Sequence, residues 1–128
     1  MITEFITYLQ GAGLTPSVTF AFTSEPIEDY GDDLPAILVY PLGDSGSQNG
    51  ADNLVVQQVS TSVVCLLGCA ITDYETLKDE LRAAAIGWVA GGSFDAMEFS
   101  NSSIEGLKGG FIWWREVYST THYLRQTI

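Results

Sequence analysis

The sequence predicts an α+β fold, a mixed and mainly antiparallel sheet with helices packed on one face. Three observations carry that expectation. Residues 110–125, Gly-Phe-Ile-Trp-Trp-Arg-Glu-Val-Tyr-Ser-Thr-Thr-His-Tyr-Leu-Arg, are rich in aromatic and β-branched types and hold no Pro, the composition of a strand at unusual length. Residues 54–69 form a second long stretch that alternates through its middle and ends in an unbroken apolar run. Helical periodicity appears in only two separate places, so strands and helices are segregated rather than alternating along the chain.

The elements follow in order. Ile2, Phe5, Ile6 and Leu9 keep the helical spacing, with Thr3 placed to cap the start and Gly11 or Gly13 to stop it. Residues 16–23 alternate at Val18, Phe20 and Phe22, a half-buried strand. Residues 24–34 hold five acids, a Pro and a Gly, an exposed acidic loop. Residues 35–41 are apolar throughout and bracketed by prolines, a short strand covered on both faces. Residues 42–53 read as a polar loop of about a dozen residues, longer than the usual connection. In 54–69, Val63-Val-Cys-Leu-Leu-Gly is expected to be buried on both sides. Thr72 and Glu75 have capping-box spacing and open a helix to about Trp88, with Tyr74, Leu77, Leu81, Ala84, Ala85 and Trp88 as its apolar stripe and Gly91-Gly92 beyond it. Residues 94–99 alternate, 100–103 read as a turn, and 104–107 read as a short strand leading to the final one.

That final strand sets a length problem. Sixteen extended residues span roughly 50 Å at ~3.3 Å each. A compact chain of this size is about 36 Å across. The strand must bend, bulge or overhang, and overhang would bring it to another subunit. Trp114, Tyr118 and His122 share one of its faces, and Trp113, Val117, Thr121 and Tyr123 the other; which face is inward is left open.

The chain has 128 residues, 46% of them hydrophobic, enough for one domain over residues 1–128 with a sizeable core and too apolar for disorder. No apolar run reaches membrane-spanning length, and the first residues lack the basic and apolar regions of a secretory signal. The net charge is −11, and ten of the sixteen carboxylates precede the first basic residue, Lys78. Such a surface repels nucleic acid. Cys65 and Cys69 would point to one face of a strand about 13 Å apart, too far for a disulfide. They are expected to be buried thiols in a reducing compartment.

No catalytic, cofactor or metal site is expected. His122 is the only histidine and sits in a strand, more in keeping with a hydrogen-bonded residue than with a general base. Asp29, Asp32 and Asp33 lack the spacing of a calcium loop. Gly43-Asp-Ser-Gly46 is similar to the nucleophile segment of some serine proteases, without a histidine context around it.

The chain resembles the tail terminator proteins of long-tailed bacteriophages. The resemblance rests on Leu34-Pro-Ala-Ile-Leu-Val-Tyr-Pro-Leu-Gly-Asp-Ser45, Leu81-Arg-Ala-Ala-Ala-Ile-Gly-Trp88, Met97-Glu-Phe99 and Phe111-Ile-Trp-Trp-Arg-Glu-Val-Tyr-Ser-Thr-Thr121, in that order. It implies a structural virion protein without catalysis, assembled in the host cytoplasm as a hexameric ring on the head-proximal end of the tail tube. Such a ring stops tube polymerisation and joins the tail to the neck. The implied partners are the protein itself, the major tail tube protein and a head-completion or neck protein, with the sheath added in a contractile tail and DNA only as passing cargo. Assembly surfaces are expected at Glu25, Glu28, Asp29, Asp32 and Asp33, at Asp44, Ser45, Gln48, Asn49 and Asp52, at Gln57, and at Thr120, His122 and Arg125. Two alternatives stand beside this reading: another head–tail joining or minor tail component, and a small-molecule-binding α+β domain with a pocket beneath Trp88 and Trp113.

Overall fold

The computed structural model describes residues 1–20, 34–47, 54–92 and 94–127, and for 54–56 and 124–127 the backbone alone. Its centre is a two-stranded ribbon. β3 (Leu54–Ala70) and β5 (Phe111–Thr127) pair antiparallel over all seventeen residues of each, from Leu54↔Thr127 to Ala70↔Phe111. On the β3 side lies β2 (Ala36–Gly46), antiparallel, and outside it β1 (Ser17–Phe20), parallel to β2; on the β5 side lies β4 (Glu98–Lys108), antiparallel. The sheet order is β1-β2-β3-β5-β4, mixed and mostly antiparallel as expected.

Period-two alternation assigns the faces. One face presents Val63, Cys65, Leu67 and Cys69 of β3, Ile37 and Val39 of β2, and Ile112 and Tyr118 of β5. Both helices cover it. α1 (Ile2–Gln10) contributes Phe5, Ile6 and Leu9, and α2 (Tyr74–Ala85) contributes Leu77, Leu81 and Ala85. Each side chain of this size, once fully buried, stabilises by about 1.5–3 kcal/mol. The opposite face holds a smaller cluster of Leu38, Leu66 and Trp113, with Leu34 and Tyr40 against it. The two tryptophans are thereby separated: Trp113 is buried on that second face, and Trp114 is half-buried on the helix face.

Trp113 can lie flat on the sheet because Gly68 stands opposite it in the register. A β-carbon at Gly68 would fall 2.6 Å from the indole ring.

Five expectations need correction. Thr3 does not cap α1, which begins after Met1; the Thr3 carbonyl instead accepts a bond from the Thr7 hydroxyl, 3.0 Å. α2 starts after Asp73 and no side chain caps it, so Thr72 and Glu75 do not form a capping box. It also stops at Ala85 rather than near Trp88, because Ile86 is extended and Gly87 takes φ +92°. That break turns Trp88 onto α1, 5.1 Å from Phe5 and 5.6 Å from Tyr8 between ring centres, while the Tyr8 hydroxyl donates to the Ala84 carbonyl at 2.7 Å. A carbonyl left without a helical partner at the end of α2 is satisfied in this way.

The other two corrections concern strands. Residues 42–46 are not loop: β2 runs on past Pro41, with a register shift between Pro41 and Gly43, to pair Gly46 with Val59. The shift sits where proline cannot donate to the ladder. Residues 100–103 are not a turn between two strands but the interior of β4, whose register shifts at Phe99/Asn101 and again at Ile104/Gly106. Serines and asparagine there look like a turn in composition and prove to be the polar side chains of an exposed edge strand with two bulges. Phe94 makes only an isolated bridge to His122. The expected acidic loop, save Leu34, and residues 48–53 of the polar loop lie outside the described residues.

Gly68→Ala should destabilise the fold by about 1–3 kcal/mol through overpacking, read as a lower urea midpoint. The same change in a Trp113→Leu background should cost less, because the ring it strikes is gone.

Candidate functional site

Below the helices, among the described residues, a single carboxylate is buried in the apolar core. Glu116 of β5 is fully buried, which is costly unless every lone pair is answered. Here all four contacts are donors. Arg82 of α2 approaches bidentately, Nε to Oε1 at 2.5 Å and an Nη to Oε2 at 3.0 Å; Trp114 Nε1 donates to Oε2 at 3.0 Å and the Tyr118 hydroxyl to Oε1 at 3.0 Å. Trp114 and Tyr118 reach Glu116 because positions two apart on a strand share a face. Arg82 also lies 4.6 Å over the Phe99 ring and 3.5 Å from the Ser102 hydroxyl, both on β4. The guanidinium is pushed to a higher pKa by its hydrogen bond to Glu116, and the Tyr118 hydroxyl is held protonated by burial and then by the Glu116 charge. These groups neutralise one another, so the arrangement ties α2, β5 and β4 together and offers no group free to act on a substrate.

The sequence reading passed over this cluster. The available signal was one carboxylate in the middle of an apolar strand, on the face that already carried Trp114 and Tyr118.

Both cysteines are free and buried, as expected. Burial first, and the Glu116 charge second, push the Cys65 thiol up; Cys69 is pushed from 9.0 to about 11, again mainly by burial. Among the described residues no group of His, Cys, Asp and Glu is arranged to hold a metal.

The expected assembly residues fall in three places. Glu25, Glu28, Asp29, Asp32, Asp33, Gln48, Asn49 and Asp52 lie outside the described residues. Asp44 and Ser45 are exposed on the far end of β2, opposite Thr61 and Ser60. Gln57 is close by, its Nε2 donating to the Ser47 carbonyl at 2.8 Å. On β5, Thr120 is buried and its hydroxyl donates to the Asp95 carbonyl at 2.6 Å, so within one copy it lines no surface. His122 is half-buried with its ring 4.4 Å from that of Phe94, and its Nδ1 is buried without a hydrogen-bond partner. Arg125 stands opposite Val56. Residues 120–123 are thus not wholly covered, Tyr123 being 52% exposed.

The backbone draws these positions together. β2 ends where Gly46 meets Val59, followed by a Ser47 N–H bond to the Gln58 carbonyl at 2.8 Å. β4 ends where Glu98 meets Ser119. Beyond them residues 54–57 and 124–127 continue as four residue pairs with no described strand on either side. At ~3.3 Å per residue the ribbon runs roughly 13 Å past the described ends of β2 and β4.

A family model described as phage tail terminator protein matches residues 24–128, and no individually curated protein matches the chain. The protein is therefore a structural component of a bacteriophage tail. Within that class the chain belongs to the phage tail terminator family.

Replacing Arg82 by Leu leaves Glu116 buried without its cation and should cost on the order of 3 kcal/mol in urea unfolding. Adding Glu116→Gln to that variant should recover part of the loss. The thiols set an alkaline limit. Unfolded cysteines ionise from about pH 9, whereas the folded Cys69 holds its proton to about 11, so the stability they contribute is complete below pH 9 and is lost as pH rises towards 11. Urea midpoints should fall between about pH 9 and 11, and less steeply in Cys65→Ala/Cys69→Ala.

Proposed function

We propose that this terminator-family protein forms a ring, hexameric as the family resemblance implies, on the head-proximal end of the tail tube. There it stops tube polymerisation and joins the tail to the neck of the filled head. The β3–β5 ribbon is the observation that carries the reading: a structural tail protein whose central strand pair runs past the described ends of β2 and β4 is built to meet a neighbour. The tail tube protein lies on one side of the ring and the neck protein on the other, with the sheath outside in a contractile tail. DNA passes as cargo. A chain of net charge −11 with no basic residue before Lys78 repels phosphate rather than holding it.

The docking surfaces in this reading are the acidic segment with Glu25, Glu28, Asp29, Asp32 and Asp33, and the polar segment from Asp44 to Asp52 with the adjoining ribbon end at Gln57 and Arg125. Ser45 and Gly46 pair with β3, so a deletion that spares the fold must begin after them. Removing residues 48–52 should leave the thermal midpoint of the purified protein nearly unchanged. In infected cells complemented with that variant, tails should be overlong or unjoined to heads by electron microscopy. Tails of normal length on filled heads would sink the proposal.

A further inference from the structure

We infer that the chain associates with a second copy of itself head to tail, the 54–57/124–127 end of one copy's β3–β5 ribbon lying along the outer edge of β4 in the next. The contact deepens the ring reading above and rests on it.

β4 is the first reason. It is eleven residues long and its outer edge has no strand against it among the described residues. Proteins usually blunt such an edge by shortening, charging or covering it. β4 is blunted only in part, by its two bulges and by Glu98, Glu105 and Lys108; on the helix face it keeps an apolar row in which Phe99, beneath the Arg82 guanidinium, Ile104 and Leu107 are 41%, 49% and 59% exposed. At the other edge of the sheet, within the described part of β1, the Gln10 side chain donates to the Val18 carbonyl at 3.0 Å.

Charge permits an acidic partner at this half of the sheet. Residues 98–127 contain Glu98, Glu105 and Glu116 against Lys108, Arg115 and Arg125, a net charge of zero, so the remainder carries the whole −11. A strongly acidic partner can approach this half of the sheet without the repulsion it would meet elsewhere. A second copy is such a partner, and it brings the matching part. Its ribbon end, Leu-Val-Val-Gln beside Leu-Arg-Gln-Thr, adds no acid and presents strand edges with no described neighbour. Strand edges laid together gain main-chain hydrogen bonds. Ribbon end and β4 edge are different patches, so the contact is heterologous and repeats from copy to copy until it closes.

The test uses the full chain in two variants, Ile104→Cys and Arg125→Cys, each checked for native melting and treated with a short bismaleimide. The native thiols are buried and stay silent. Mixing the two should give a cross-linked dimer that neither gives alone, in free protein at high concentration or on purified tail tubes. Ile104→Lys/Leu107→Lys, altering exposed side chains, should melt like the parent and lose the assembly. Cross-linking of Ile104→Cys with itself would overturn the inference in favour of β4 against β4. Sixfold rings without the mixed cross-link would overturn it and leave the ring reading standing; strict monomers, even with tubes present, would remove both.

Discussion

The fold depends on how Glu116 is accommodated. A carboxylate taken wholly out of water costs several kcal/mol before any partner is counted. The bidentate arginine, indole N–H and phenol offset that cost only in one arrangement, with Trp114 and Tyr118 on the same face of β5 and Arg82 reaching down from α2. Apolar packing alone would tolerate some sliding of α2 over the sheet. A bidentate ion pair does not. A one-residue slip between β3 and β5 would turn Glu116 to the other face and away from Arg82. Because Arg82 also meets Phe99 and Ser102, the edge strand is set by the same group, and the apolar row along β4 is held where it is by a charge in the core.

The strongly periodic elements were legible in the sequence. Alternation in 54–69 and the aromatic, β-branched run of 110–125 gave the two central strands nearly residue for residue, and the apolar spacing of Leu77, Leu81 and Ala85 gave α2. What could not be read was decided by tertiary pairing. Residues 42–46 have loop chemistry, yet β3 supplies a partner for them. Asn101, Ser102 and Ser103 have turn chemistry, yet β5 holds them extended. Gly91-Gly92 looked like the end of α2, but the chain leaves the helix at Ile86 and Gly87 and turns Trp88 onto Phe5 and Tyr8. For the functional residues, a list of exposed polar positions did not distinguish Asp44, on the surface, from Thr120, whose hydroxyl is used inside the chain.

The distribution of charge and the distribution of length describe one division of labour. Eight of the sixteen acids lie in residues 1–64, where no base balances them, and the β4–β5 segment, residues 98–127, carries no net charge. The two strands that run past the described ends of β2 and β4 pair with each other. A protein that must join a large assembly has to remain soluble until it does so; here the acidic half keeps free copies apart while the neutral half remains able to make close contact.

Cys65 and Cys69 have a consequence outside the fold. A tail protein is made among cellular reductants and then persists in a particle released into air-saturated surroundings. Both sulfurs are buried on the helix face among apolar side chains, kept protonated, and separated along one strand by more than a disulfide can bridge. The chain therefore has no described thiol to oxidise, exchange or couple to a neighbour. Its chemistry should be the same on either side of the lysed cell wall, and the ageing of the particle is left to the contacts between its parts.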